Sequence, residues 1–493
     1  MQIRGRAVVR ARAWLLPLLL LALPLAAVSA APDRTDTSHL CGYTGSPAGA
    51  YEFETYEAAD YRNTYGRSLE LAGLNQLLPE YDMFALPWME GGDRSAGSSQ
   101  LMAAHIPPVI LKAIAWIESG WAQASYDPLV QYGEVGPTLI SHDCGYGIMQ
   151  VTSGMQNLTG VPRMDQVMIG GHYGFNIARG ARILADKWNM APEVRPLVGN
   201  RDPYIIENWY YALWGYNGFV WGNHPLNPKY DSGRGLYDCV SDRSGYPYQE
   251  LVLGCVANPP SRGGVRLWDP VPVSLPNLAD PQYAGPLNNW DACAYSLDCA
   301  GMDMPTPSQY HVDPTAPGVT REQVLGTPTL AISSDNITLP PTGGAAQVTV
   351  SNTGSGLLTW RALSTAPWLW VSPMEGVALG ADLGLWNSSF GVSADPSLVP
   401  GSYSAQVVVE SMYSTVTTRI IQVNLTVGCA PSGVIDAGDA LQILRQASGL
   451  PACTADIADA NCSGQTDAVD ALAVLRYVVG LPPGVPAGCP PLG

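Results

Sequence analysis

Pro107-Pro108-Val109-Ile110-Leu111-Lys112-Ala113-Ile114-Ala115-Trp116-Ile117-Glu118-Ser119-Gly120-Trp121 is the run of residues from which the rest of this chain is best read. Proline suits the first turn of a helix, where its missing N–H leaves nothing unpaired. Ile110, Ile114, Ile117 and Trp121 recur at three- and four-residue steps, which predicts one apolar helical face. Gly120 can end that helix. Glu118 falls four residues after Ile114 and three before Trp121, inside the apolar stripe. A carboxyl among Ile and Trp side chains is poorly solvated when ionised, so its pKa should rise. An acid that keeps its proton near neutrality is what protonation of a departing sugar oxygen needs. The competing reading is a helix-end Glu paired with a surface cation.

Further motifs follow in order: Ser125, then Gly145-Tyr146-Gly147-Ile148-Met149-Gln150, then Trp214-Gly215-Tyr216-Asn217-Gly218. Together with Glu118-Ser119-Gly120-Trp121 they resemble the soluble lytic transglycosylases, relatives of goose-type lysozymes. That family carries a Glu-Ser pair ending a helix, a Gly-Leu-Met-Gln element and an Ala-Tyr-Asn-Gly element, in this sequence order. The resemblance implies a mainly α, lysozyme-like catalytic domain over residues 31–300, with its motif core at 101–225. It implies Glu118 as the catalytic residue, and Ser119, Ser125, Ile148, Met149, Gln150, Tyr216 and Asn217 as residues of the substrate cleft. Ser125 lies two residues nearer the Glu than the family spacing, and the insert 127–143 is longer than usual.

With 493 residues the chain has room for about three domains. Arg4, Arg6, Arg10 and Arg12 precede a Leu-rich apolar run, and Val28-Ser29-Ala30 offers a cleavage site, which together predict a secretory signal peptide over residues 1–30. No later segment is apolar for long enough to cross a bilayer, so no stable membrane insertion is expected after cleavage. Loss of those four arginines takes the net charge from −17 to −21, which argues against nucleic acid as a partner. The ten cysteines of an exported chain read as disulfides. Nearest-neighbour pairing joins Cys239 with Cys255 and Cys293 with Cys299, leaves Cys41 for Cys144, and pairs Cys429 with Cys453 and Cys462 with Cys489. No Cys-x₂-Cys spacing suggests zinc.

Helices are expected over 60–78, over 175–188, and from Asp202-Pro203 to Tyr216, with a further short one after Tyr246-Pro247-Tyr248-Gln249-Glu250. The Pro-rich stretch 301–327 reads as a semi-extended linker. Beyond it the periodicity turns to that of strands: Gln347–Ser351, Tyr403–Glu410 and Thr417–Val427 alternate or run β-branched. An all-β, immunoglobulin-like sandwich over 328–427 follows. Pro367-Trp368-Leu369-Trp370-Val371 with Gly401-Ser402-Tyr403 is similar to BACON modules, small β-sandwiches appended to bacterial secreted enzymes. Trp368 and Trp370 alternate, so one can face solvent as a sugar platform or both can serve packing.

The last stretch repeats itself. Asp436 to Pro451 returns as Asp467 to Pro482, with ten of sixteen positions identical at an offset of 31. Ahead of the second copy, Asp459, Asn461, Ser463, Gln465, Asp467 and Asp470 stand at positions 1, 3, 5, 7, 9 and 12 of a calcium loop, Gln465 through its carbonyl, with Gly464 at position 6. Paired loop–helix units of this kind resemble a type I dockerin. The resemblance implies, over 428–493, a small α domain with an EF-hand-like loop, a structural Ca²⁺, and a cohesin-bearing scaffold protein as partner. The first copy has Gly428 and Ala430 where ligands are required, so its site should be weak or empty.

The sequence therefore predicts a secreted enzyme acting on peptidoglycan glycan strands. Glu118 would protonate the β-1,4 oxygen between N-acetylmuramic acid and N-acetylglucosamine. As the family implies, it would then deprotonate the muramoyl C6 hydroxyl to close a 1,6-anhydro ring. One alternative is a hydrolytic lysozyme in which Asp127, Glu134 or Asp143 helps activate water. Another is a non-catalytic wall-binding or scaffold subunit.

Overall fold

The computed structural model describes residues 48–92, 100–190, 195–308, 310–312, 315–340, 344–427, 435–450, 452, 458–490 and 492. The expected signal peptide, Cys41, Cys429, Cys453 and residues 428–434 of the first calcium-type loop lie outside them. The helices of the described chain are α1 (Arg67–Gly73), α2 (Pro108–Ser119), α3 (Met164–Gly171), α4 (Tyr173–Asn189), α5 (Tyr210–Tyr216), α6 (Tyr248–Ala257), α7 (Pro281–Asn288), α8 (Trp290–Ser296), α9 (Arg321–Leu325), α10 (Ala437–Ala447) and α11 (Ala468–Val478). None of them is long and apolar enough to cross a membrane.

Helix α2 is central to the helical domain: α1 packs on one side of its length and α6 on another, while α4 ties together α1, α3 and α5. Its apolar stripe is buried as the spacing requires, with Ile110 and Ile114 fully inaccessible. The helix closes in a double left-handed turn. Gly120 and Trp121 take φ of +63° and +61°, and their N–H groups reach back to the Trp116 and Ala115 carbonyls at 2.9 and 3.3 Å, a Schellman closure. Short antiparallel ribbons brace the domain: β1 (Glu54–Tyr56) with β4 (Val135–Pro137), β2 (Met89–Gly91) with β3 (Gln100–Met102), and β5 (Ser261–Arg262) with β6 (Val265–Arg266).

Several expected helices are shorter than their apolar spacing suggests. The 60–78 segment opens with a wide turn at Arg62–Gly66 and stops at Gly73, where a Cβ would lie 2.5 Å from the Ile106 carbonyl. The Asp202-Pro203 start gives a 3₁₀ turn at Ile206–Trp209 before α5. Cys239–Cys255, Cys293–Cys299 and Cys462–Cys489 are bonded, and Cys144 is in a disulfide as well.

Past α9 the chain forms a β-sandwich from β7 (Leu330–Ile332), β8 (Asn336–Leu339), β9 (Ala346–Asn352), β10 (Leu357–Ser364), β11 (Leu369–Ser372), β12 (Glu375–Leu379), β13 (Ser388–Ala394), β14 (Gly401–Glu410) and β15 (Thr418–Val427). One sheet runs β12-β10-β14-β15-β8 and the other β11-β13-β9-β7. Registers such as Val407 opposite Ile421 and Phe390 opposite Val348 place alternate residues inward. Trp360 and Phe390 meet across the two sheets with ring centroids 5.4 Å apart.

The sandwich is not hung on a free spacer, which corrects the linker expected at 301–327. Met302 and Met304 are buried against the helical domain. Tyr211 donates to the Met302 carbonyl at 2.9 Å, and Leu325 is fully buried. Its apolar side chains found a surface to cover, and Arg321–Leu325 winds into the short helix α9. Strand β12 is buried on both faces: Ala378 points into the sandwich, while Val377 and Leu379 join the helical domain's core. Arg361 adds a bond to the Pro162 carbonyl at 2.9 Å.

At the C-terminus α10 and α11 pack on each other through Ala440, Ile443, Ala471 and Val474. The repeat is visible in their starts. Asp436 and Asp467 each cap a helix with the side chain, and their backbone N–H groups donate in return to the Asp439 and Asp470 carboxylates, the geometry of a capping box.

Candidate active site

Glu118 is the penultimate residue of α2, and the residue is half-buried. Two elements far away in sequence complete its surroundings. Tyr248, the first residue of α6, donates its hydroxyl to Glu118 Oε1. Arg243 donates to the Ile117 carbonyl at 2.7 Å, which sets its positive charge beside the carboxyl. Burial pushes the Glu118 pKa up to about 7; the Tyr248 hydrogen bond opposes the rise, the Asp143 charge adds to it, and Arg243 opposes it. Burial and the Glu118 charge hold the Tyr248 and Tyr216 hydroxyls far above the usual phenol range, so both remain donors. The two rings lie nearly parallel, with centroids 6.4 Å apart.

The Gly145–Gln150 loop is fixed beside this helix end by side chains from four directions. Ser119 Oγ donates to the Ile148 carbonyl at 2.9 Å, and Tyr216 donates to the Met149 carbonyl at 3.0 Å. Gln123 Oε1 accepts from the Ile148 N–H at 3.0 Å, and Asn176 Oδ1 from the Met149 N–H at 2.8 Å. Only glycine fits at 147: φ is +65°, and a Cβ would lie 2.5 Å from Gln123 Oε1.

The expected cleft residues thus divide by what they touch. Glu118, Tyr216 and Gln150 are all half-buried; Gln150 takes φ of +47° and ties its side-chain nitrogen to the Gly147 carbonyl at 2.8 Å, leaving its oxygen free of that bond. Ser119 is buried, with its hydroxyl engaged by backbone. Ile148 and Met149 are fully buried; they support the loop from beneath and do not present themselves as a cleft floor. Ser125 turns its hydroxyl to the Asp127 carbonyl at 2.9 Å. Asn217 is exposed and holds Asn223 at 3.0 Å. Tyr248, Arg243, Gln123 and Asn176 carried no sequence signal of a role. Of the three acids named for a hydrolytic route, Asp143 is the one whose charge acts on Glu118.

A second feature adjoins the same helix end. A cavity of about 390 Å³ opens beside Gly120 and Trp121 and reaches Glu57, Tyr126 and Arg262. Glu57 is 3% exposed. Its Oε2 accepts the Gln123 and Ala124 N–H groups at 2.9 and 2.8 Å, and burial lifts its pKa to about 7.

In the loop 459–470, where the sequence leads one to expect calcium, the oxygen-bearing side chains bond to the loop's own backbone. Asp459 accepts from the Ser463 and Gly464 N–H groups at 2.8 and 2.7 Å, and Asp470 from Asn461 and Asp467, both at 2.9 Å. Ser463 Oγ donates to the Gln465 carbonyl at 3.1 Å, and Gly464 takes φ of +83° as position 6 requires. Among the described residues no three His, Cys, Asp or Glu side chains converge into a ready cluster. The residues fit Ca²⁺ by donor chemistry, since each carboxylate oxygen keeps lone pairs beyond its amide bonds.

No curated protein matches this chain. Among solved structures it is similar to a Bacteroides ovatus GH5 xyloglucanase solved with a XXXG heptasaccharide, at 14% identity, over 21% of this chain and 20% of that one, with a TM-score of 0.16. A PapD-like domain of human CEP192 is 17% identical over 25% of this chain and 97% of its own, at a TM-score of 0.19. The E. coli chaperone DraB is 11% identical over 22% of this chain and 61% of its own, at 0.18. Residues 329–423 match the family model described as the viral BACON domain, which makes the sandwich a BACON module.

Proposed function

We propose that the helical domain is a secreted peptidoglycan lytic transglycosylase that cleaves the β-1,4 bond between N-acetylmuramic acid and N-acetylglucosamine. The observation that carries this reading is the Glu118 carboxyl, half-buried at a helix end and raised to about 7 while bonded to Tyr248. With Tyr248 on Oε1, the proton sits on Oε2 and passes to the glycosidic oxygen as the C1–O bond breaks. The carboxylate that results is stabilised by the Tyr248 donor and the Arg243 charge. It then takes the proton of the muramoyl C6 hydroxyl as that oxygen bonds to C1, which yields a 1,6-anhydro end and returns the acid to its starting form. Tyr216 and Ser119 act one step removed, holding the 147–150 loop against the helix end.

One observation favours a second outcome on the same bond. Asp143 is close enough for its charge to act on Glu118, and a carboxylate so placed can activate water, which makes the enzyme a hydrolytic lysozyme. Mass spectrometry of digested peptidoglycan separates them: anhydro-muramoyl ends support the first, reducing ends the second. Glu118→Gln should lower turnover by about a thousandfold or more in either case. A Glu118→Gln protein that clears walls like the parent refutes both and favours a wall-binding subunit.

The C-terminal helical pair is proposed as a dockerin, with Asp459, Asn461, Ser463, the Gln465 carbonyl, Asp467 and Asp470 holding a structural calcium. The repeat supports it: Leu441 and Leu444 on α10 and Leu472 and Leu475 on α11 are equivalent positions, and all four are exposed. Such apolar surface on both helices suits a cohesin-bearing scaffold partner.

A further inference from the structure

The C-terminal end of α2 is closed by more than its own turn. The last carbonyls of a helix have no partner within it, and water or the following backbone normally answers them. The left-handed turn at Gly120 and Trp121 answers two, those of Trp116 and Ala115. Three others are met by side chains from elsewhere. Arg243, from the turn ahead of α6, donates to the Ile117 carbonyl at 2.7 Å. The Tyr126 hydroxyl donates to the Ser119 carbonyl, and Arg262, on β5, donates through Nη2 to the Gly120 carbonyl at 2.5 Å. The Glu118 side chain therefore leaves a backbone that is held one residue before it and at both residues after it.

Arg262 is fixed in this position from several sides. Its guanidinium lies over the Trp116 ring of α2 at 5.6 Å and over the Tyr61 and Tyr132 rings at 4.5 and 5.8 Å, contacts that suit a flat cation. Its hairpin is anchored in turn by Arg62, which donates to the Arg262 and Val265 carbonyls at 2.9 Å and to that of Arg266 at 2.7 Å. A cation at the C-terminal end of a helix also meets the helix dipole with the favourable sign. A Schellman closure ends a helix without such help, so termination alone does not call for two further donors on the carbonyls that follow Glu118. The last turn is where helices fray. An open last turn would let water reach a carboxyl whose raised pKa comes mainly from being kept away from it.

We infer that Arg262 and Tyr126 are positioning residues for the proposed reaction: by holding the Gly120 and Ser119 carbonyls they keep the last turn of α2 closed and the Glu118 carboxyl shielded. The inference rests on the glycan-cleaving reading above. Among the described residues, the groups that face Glu118 are Tyr248 on α6, Tyr216 on α5, Asp143 ahead of the 145–150 loop, and Arg243. Arg262 and Tyr126 are not of that set, so losing either reaches Glu118 through the backbone. Water admitted at the helix end stabilises the carboxylate and lowers the Glu118 pKa from about 7 toward the ordinary 4.5. The alkaline fall of kcat/KM then moves to lower pH.

The full-length parent is compared with Tyr126→Phe, Arg262→Met and Arg262→Lys on soluble peptidoglycan strands, with kcat and KM measured across the pH range. Arg262→Met should lower kcat about tenfold and Tyr126→Phe about fivefold, with KM within about twofold of the parent. Both should displace the alkaline fall to lower pH by about half a unit or more. Arg262→Lys, which keeps a donor and a charge over Trp116, should recover part of each loss. Parent-like kinetics in Tyr126→Phe and Arg262→Met would overturn the inference. So would a lower kcat with the alkaline fall unmoved, since a purely structural role gives that, or a fall displaced to higher pH. Tyr126 is exposed, so its variant decides the matter if Arg262→Met does not fold. Glu118→Gln is measured alongside: full activity there removes the enzymatic reading and this inference with it. An inactive Glu118→Gln beside parent-like Tyr126→Phe and Arg262→Met removes this inference alone.

Discussion

At the scale of single residues, two buried carboxyls dominate, and each makes a pH-dependent statement. In the proposed reaction Glu118 acts in its protonated form, so kcat/KM should fall about tenfold per pH unit above about 7. Tyr248 donates to the ionised form and holds the pKa down. Tyr248→Phe should therefore move that fall to higher pH, and lower kcat because the Glu118 carboxylate left by proton transfer loses its donor. A pH–rate profile checks this; a fall displaced to lower pH contradicts the role given to Tyr248. Glu57 bears on stability. Its folded pKa of about 7 stands above the ordinary 4.5, so the folded protein holds that proton more tightly than the unfolded chain. Stability is then lost as pH rises from about 4.5 to about 7, by about 3 kcal/mol once the loss is complete. Glu57→Gln should remove that slope, so its denaturation midpoint relative to the parent should be higher at pH 8 than at pH 4. Identical pH dependence in the two proteins would show that Glu57 titrates normally. The apolar spacing around Glu118 made its shift legible beforehand. That of Glu57 was not, because its burial comes from Trp121 and the 122–124 turn, some 65 positions along the chain.

At the scale of elements, the sequence was most legible where a local rule acts alone. Helix α2 starts at proline and stops at glycine; the paired capping boxes at Asp436 and Asp467 follow from their neighbours three residues on. It was least legible where an element is held from elsewhere. The 145–150 loop keeps its shape through Gln123, Asn176, Ser119 and Tyr216, none adjacent to it. That is why Ser119 and Tyr216 read as cleft residues from their motif, although their hydroxyls serve the loop. The 459–470 loop gives a prediction of its own. Calcium should slow amide hydrogen exchange across residues 459–478 in the full chain, and Asp459→Ala should abolish the effect. Exchange indifferent to calcium and chelator in the parent would remove the dockerin proposal and leave catalysis untouched.

At the scale of the molecule, the BACON module is part of the helical domain's support. Val377 and Leu379 complete its core, Thr359 abuts Gly171, and His172, buried under this junction, has its pKa lowered to about 3 by burial. A chain ending at residue 327 should consequently melt roughly 5 °C or more below one ending at 427, measured by calorimetry on the transition of the helical domain. Equal midpoints would mean that the two domains merely touch. Trp370, 48% exposed, and Trp368, tilted against Tyr403 at 5.5 Å, show that the alternation separated an outward ring from a packing one.

The sequence by itself determined what local chemistry and periodicity can determine: the helix that carries Glu118, the strand-rich module at 328–427, the three described cysteine pairs, and the repeated capped helices. These depend on residues a few positions apart, or on patterns repeated along one element. The tertiary structure alone decided which groups face Glu118, that Met302, Met304 and Val312 lie against the helical domain, and that Glu57 and Arg262 share a cavity. Those juxtapositions arise when segments 60 to 200 residues apart bury their apolar faces together, and burial of that kind leaves no mark on the local order of residues.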